Sequence, residues 1–405
     1  MSAEGSGPPG QQTSWPPSLL IIKYFPMKSV AINIERIKYL LAYFGMSERD
    51  LMDRLNEGRK RLFNHKDVFS EQISLSLLRK IDTIFQCGLN FYFDYTPLNP
   101  DKHSSVFFRK KKFGIVPNIE TRRMVMHFES LKNRLDGFSA LSDDHIATSL
   151  KQYTIKDSPQ AVAESLRSEL IPKQTLKKKE FLKAMIDCCA DKGIYVFEFI
   201  ETWNKKEKVN FDGMYIAPNM IVLKHQKWYK REVFTLAHEI GHLLLRKEEM
   251  EQVLPDDSTS INMSSIERWC NDFAFQLIIG DNIHELDALG DVNEENDYAH
   301  SLVKKIADRT HISQLSIYTH LYFQKKLPKA IYVRICEEGR EKALEKNKEE
   351  KMNDEKKRFI RSPKPIISKL YLETMQYAYF KGIVSEAAFC QHLHISVSEA
   401  ERRYL

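Results

Sequence analysis

Periodic patterning in this chain begins near residue 30. Ile34, Ile37, Leu40 and Leu41 share one helical face, and Gly45 ends that run. Ser47 followed by Asp50 reads as the cap of a second helix carrying Leu51, Met52 and Leu55, and Ile73 to Phe85 reads as a third. Residues 30–98 are therefore expected to form a small helical unit with a helix-turn-helix outline. Before it, residues 1–29 contain GSGPPGQQTSWPP, which has no period and reads as a flexible tail. Met27, just ahead of the first patterned segment, is a candidate start of translation.

Downstream the pattern alternates between helical and strand-like runs. Residues 99–157 read as a helical connector, with a basic run at Arg109–Lys112 and a helix through Met124–Leu135. Residues 158–330 read as one domain. AVAESLRSEL and LKAMIDCCADKG predict helices, IYVFEFI predicts a strand, and GMYIAPNMIVL predicts short strands around a turn at Pro218–Asn219. Residues 331–364 form a charged linker or exposed helix, and residues 365–405 close the chain with further helices. This pattern predicts an α+β class: a mainly helical domain with a small sheet, flanked by helical N- and C-terminal regions.

Composition adds bounds. With 405 residues the chain is too long for one ordinary core. A net charge of +6 is compatible with a nucleic-acid contact but decides nothing by itself. The cysteines stand at 87, 188, 189, 270, 336 and 390 with no CxxC pair, so a disulfide framework is not expected and a reducing, cytoplasmic setting is. Leu19–Ile22 is too short to span a bilayer, so no membrane association is expected.

The segment that carries chemistry is REVFTLAHEIGHLLLRKEE. Val233, Phe234, Leu236, Ala237, Ile240 and Leu243–Leu245 are apolar over nearly every helical face, which predicts a buried helix. Yet it carries His238, Glu239 and His242. Histidines four apart project from one face about one turn apart, so both rings can reach a single zinc ion. Glu239, rotated about 100° from His238, is placed to reach a water rather than the ion. A chance HExxH match arises in roughly a few per cent of such chains. Chance, however, does not favour a continuous apolar helix, where unpaired His and Glu are costly to bury.

Zinc needs a third protein ligand with a fourth position left open. In SSIERWCNDFAFQLII, Ser264 or Ser265 caps a helix with Glu267 in its first turn. Glu267 is the best candidate; Asp272 lies on a different part of the helix, and Cys270 would make a thiolate site less suited to hydrolysis. By spacing alone, Glu267 could equally be a carboxylate answering the helix dipole. His225 and Tyr229 lie nearby in sequence as candidate donors to an oxyanion, each with a plain alternative as a strand-end or surface residue.

FDGMYI, the strand around IVL, FTLAHEIGHLLL and ExxCNxFAxxLI together resemble the ImmA/IrrE zinc metallo-endopeptidases over about residues 160–325. The last motif in that family usually reads ExxAN-x-FA with a proline-containing end; here Cys270 replaces the alanine and Gly280 stands where proline is expected. The resemblance implies a zincin-like catalytic domain holding one Zn2+, with His238, His242 and Glu267 as ligands and Glu239 as catalytic base. It implies an endopeptidase acting on a specific intracellular protein such as a transcriptional repressor. Residues 30–98 loosely resemble the XRE-type helix-turn-helix regulators that often precede such domains, so DNA is a candidate partner of that region. The rival expectation is a metal-stabilised DNA- or partner-binding regulator, or a toxin or phage-defence component, without general proteolysis.

Overall fold

A computed structural model describes residues 29–98, 117–141, 146–173, 178–201, 207–226, 228–248, 264–354 and 363–404. Residues 1–28 of the predicted tail, with Met27, and the basic run Arg109–Lys112 lie outside these residues, while Ser29 belongs to a strand. Contacts divide the chain into two compact units, 1–98 and 99–405.

The first unit is helical. Helix Ile34–Phe44 ends at Gly45, whose φ of 61° is the left-handed conformation that glycine adopts without strain. Helix Glu48–Asn56 starts with a reciprocal Ser47/Asp50 capping box. A one-turn helix, His65–Val68, precedes helix Leu75–Phe85. The third predicted helix starts late, because Ile73 sits in a short strand, Gln72–Ser74, paired antiparallel with Ser29–Ala31. That pairing joins residues more than forty positions apart, and no local period reports it.

The second unit is built on a three-stranded sheet. Tyr195–Phe199 runs parallel to the central strand Met220–Lys224, and Gly213–Ile216 pairs antiparallel on its other side. Strand geometry sends alternate residues to opposite faces. Val196, Tyr215, Ile221 and Leu223 face one core, formed with helices Pro159–Leu170, Lys178–Asp191, Tyr229–Leu245 and Ser265–Ile279. Tyr195, Phe199, Met214, Ile216, Met220 and Val222 face a second core. Helix Ile119–Leu141 and the C-terminal helices Lys369–Phe380 and Glu386–Leu393 fill that side. The class is α+β, as the pattern predicts. The charged stretch after residue 328 is helical, Lys329–Asp354.

Helix Tyr229–Leu245, called here the histidine helix, is buried at every position from Glu232 to Leu245. Beside it lies the glutamate helix, Ser265–Ile279, capped by Ser264, whose hydroxyl accepts from the Glu267 amide at 3.1 Å. The two approach closely at Gly241, where a Cβ would stand 3.1 Å from Cα, Cβ and Sγ of Cys270. Gly280 ends the glutamate helix at φ 54°, with the Arg167 guanidinium packed over it and donating to the carbonyl of Leu277. Glycine in place of the expected proline thus gives a capped terminus. Among the described residues, no helix is long and apolar enough to cross a membrane.

Candidate metal centre

His238 and His242 stand one turn apart with their Nε2 atoms 3.0 Å from each other. Glu267 reaches across from the first turn of the glutamate helix. Its Oε2 lies 3.1 Å from His238 Nε2 and its Oε1 3.2 Å from His242 Nε2, and all three side chains are 2% exposed. The positioning has local causes: four-residue spacing aligns the imidazoles, the Ser264 cap fixes the start of the glutamate helix, and Gly241 lets the two backbones approach.

The protonation pattern fits a cation. His238 Nδ1 lies 3.0 Å from Asn271 Oδ1, an atom that can only accept, so Nδ1 carries a proton and Nε2 is the nitrogen turned towards Glu267. The Glu267 carboxyl, although buried, is held far below the usual carboxylate range by its hydrogen bonds to His238 and His242. An ionised carboxylate and two imidazole nitrogens therefore converge among buried side chains, where a cation could take the place of the protons they now share. Leaving such atoms without a compensating partner costs on the order of 1–3 kcal/mol each. These three side chains could together hold a divalent ion. Asp272 and Cys270 are not in this group. Cys270 packs against Gly241, and burial pushes the half-buried Asp272 up to about 6.

Glu239 is buried beside the group, and its Oε2 has no hydrogen-bond partner. Burial pushes its carboxyl up to about 7, opposed by His242 and His238 and by a hydrogen bond from the backbone of Tyr215. Gly213, on the edge strand, makes room for it: a Cβ there would stand 2.8 Å from Glu239 Oε1.

His225 and Tyr229 are not brought to this group. At the end of the central strand, His225 bonds through Nδ1 to Glu198 and lies 3.7 Å from Glu232 Oε2. Glu232 precedes Glu239 by seven residues on the same helix, about 10 Å along its axis, so an imidazole held at Glu232 does not reach a reacting oxygen beside Glu239. Tyr229 opens the histidine helix and packs edge-on against the His311 ring, with centroids 5.9 Å apart. Proximity in sequence misleads here, because the helix axis carries its first turns away from the histidines.

Sequence reasoning missed Asn271, Gly213 and the Glu198–His225–Glu232 cluster. Asn271 had a signal, since it follows Glu267 by four residues and so shares its helix face. Burial and the neighbouring Glu198 carboxylate push Glu232 up to about 9.

Residues 189–321 match the family model Peptidase_M78, described as the IrrE N-terminal-like domain. That segment is similar to the M78 metallopeptidase domains. It contains all of His238, Glu239, His242 and Glu267. A search of curated proteins and a search of solved structures found no match. The metallopeptidase character of the matched family implies a metal ion, which the chemistry of the three donor side chains fits.

Proposed function

We propose that this chain is a zinc-dependent endopeptidase in which His238, His242 and Glu267 hold the ion and Glu239 is the general base. One observation carries the proposal: the convergence of His238 Nε2, His242 Nε2 and both Glu267 oxygens within 3.2 Å contacts, between two largely buried helices. When bound, zinc supplies a Lewis acid that polarises the scissile carbonyl and acidifies water. Asn271 fixes the His238 tautomer. Glu239, with a free Oε2 and a carboxyl poised near neutrality, takes a proton from the attacking water and passes it to the departing amine. The unpartnered base argues against a purely structural ion, which needs no such group.

The substrate is a protein, and the resemblance to ImmA/IrrE peptidases favours a specific intracellular target such as a transcriptional repressor. Any DNA or repressor contact is assigned to residues 30–98, where two capped helices meet at a tight turn. The free state of all six cysteines supports a cytoplasmic setting. The test is Glu239→Gln in the full chain: zinc content stays at the wild-type level while cleavage of candidate repressors, and new peptide ends in the host proteome, are lost. Cleavage surviving in that variant would remove Glu239 from the role of base.

A further inference from the structure

Outside the proposed catalytic group, a second set of ligand-type side chains converges from three separate elements. Glu198 comes from strand Tyr195–Phe199, His225 from the residue after the central strand, and Glu232 from the first turn of the histidine helix. The ligand atoms all lie within 4.8 Å of one another. Sheet alternation turns Glu198 towards the histidine helix, opposite its neighbour Phe199. Its side chain is fully buried, that of Glu232 is 2% exposed, and the His225 ring is 22% exposed, leaving one route to solvent.

The backbone holds these groups in place. The His225 amide donates to the Phe199 carbonyl at 2.8 Å, and the Ile366 amide donates to Glu198 Oε2 at 2.6 Å. Glu198 Oε1 meets His225 Nδ1, and Glu232 Oε2 lies 3.7 Å from the same nitrogen. Glu232 Oε1 is buried and has no hydrogen-bond partner.

Charge is the unresolved term. Neighbouring cations among the described residues are committed elsewhere: Arg231 to Asp212 and Lys224 to Glu201. Lys179 acts on Glu232 as a more distant cation, its ammonium group donating to the neutral Lys364 carbonyl at 3.4 Å. The two buried carboxyls thus share one imidazole and, without an ion, one proton held by Glu232, which an entering dication would displace. Atoms about 2.0–2.2 Å from a shared ion stand roughly 3–3.5 Å apart; the 3.7 Å between Glu232 and His225 is near that, and the closer His225–Glu198 contact would open slightly around an ion. Carboxylate oxygen with imidazole nitrogen suits zinc or manganese, and a dication would neutralise both carboxylates.

We propose that Glu198, His225 and Glu232 form a second divalent-cation site, separate from the catalytic one and structural in effect. An ion there would tie the outer strand, the exit of the central strand and the start of the histidine helix into one unit. Through Glu198 it would also tie in the segment at Ile366. The contact between His225 and Glu198 is then two ligands side by side rather than a closed ion pair.

The experiment counts metal in the full chain. Chelator-stripped protein is loaded with Zn2+ alone, freed of excess, and assayed by inductively coupled plasma mass spectrometry. Wild type is expected to hold two equivalents, and the H225Q/E232Q and H238Q/H242Q variants one each. In H238Q/H242Q, which leaves the second cluster intact, zinc is also expected to raise the melting temperature, with no rise once E232Q is added. A single equivalent in wild type that H238Q/H242Q abolishes overturns the second site and leaves the catalytic reading standing. A single equivalent that only H225Q/E232Q abolishes does the reverse. Two equivalents in H225Q/E232Q also overturn the assignment, since the extra ion would then lie elsewhere.

Discussion

Gly213 and Glu239 are a fitted pair: the edge strand passes so close that a Cβ at 213 would lie 2.8 Å from Glu239 Oε1 and 2.9 Å from its Cγ. The absent side chain is what lets the carboxylate stand between the strand and the histidines. Gly213→Ala, whose Cβ would also stand 2.5 Å from Thr235 Cγ2, is expected to displace the Glu239 and Thr235 side chains while His238, His242 and Glu267 keep their ion. Misplacement by about 1 Å costs on the order of a hundredfold in rate. Peptide cleavage should fall by about that factor with zinc content unchanged. Equal loss of cleavage and zinc would deny Gly213 any role beyond folding.

Asn271 should matter to affinity for the ion. Removing a group that orients a ligating histidine typically weakens metal binding about 10–100-fold. Asn271→Ala is therefore expected to raise the zinc dissociation constant by that range in competition with a chromophoric chelator. Asn271→Asp, which keeps an acceptor opposite His238 Nδ1, should restore most of it. Unchanged affinity in the alanine variant would mean that the tautomer of His238 is fixed by other contacts.

The helix crossing at Gly241 is tight enough to be felt by one methyl group. A Cβ there meets Cα, Cβ and Sγ of Cys270, all at 3.1 Å. Overpacking of this kind costs about 1–3 kcal/mol. Gly241→Ala should lower unfolding stability by that amount in urea titration. Cys270→Ala, which removes the sulfur but not the backbone neighbour, should relieve the clash only in part when combined with it.

Acid should destabilise the second unit between pH 6.5 and 4. The His320 ring stacks on Phe275 with centroids 4.0 Å apart, and its Nε2 is buried without a partner. Burial, opposed by Asp287 and aided by Lys326, lowers it from 6.5 to about 4. The folded chain thus prefers the neutral ring. Its contribution is fully present above pH 6.5 and is lost as pH falls from there through 4. Melting temperature should decline across that window, and His320→Phe should flatten the decline. An equally steep decline in that variant would shift the cause to other groups.

Local features were legible in the sequence and distant ones were not. The HExxH spacing, the Ser264 cap, the Ser47/Asp50 box and the Gly45 stop are each set by residues within one or two helical turns, so the sequence displays them directly. The helical reading of Ile73 fails because its strand is fixed by Val30. The oxyanion roles considered for His225 and Tyr229 fail to gain support because partners far along the chain, Glu198 and His311, hold those rings. Gly280 departs from the family pattern for a reason no local reading could supply: Arg167, more than a hundred residues earlier, lies on it.

The outer strand Tyr195–Phe199 has a free flank that the last helices occupy. Phe197 bridges to Ile367, its ring meets Tyr371 edge-on at 4.8 Å, and the Tyr195 hydroxyl shares a hydrogen bond with Thr374 at 3.0 Å. Cutting the chain after the matched segment would bare an unprotected β-edge lined with aromatic rings, a template for aggregation. The autonomous folding unit is therefore larger than the stretch by which its kinship is recognised, and the tail end of the chain is a lid on the sheet that the chemistry stands on.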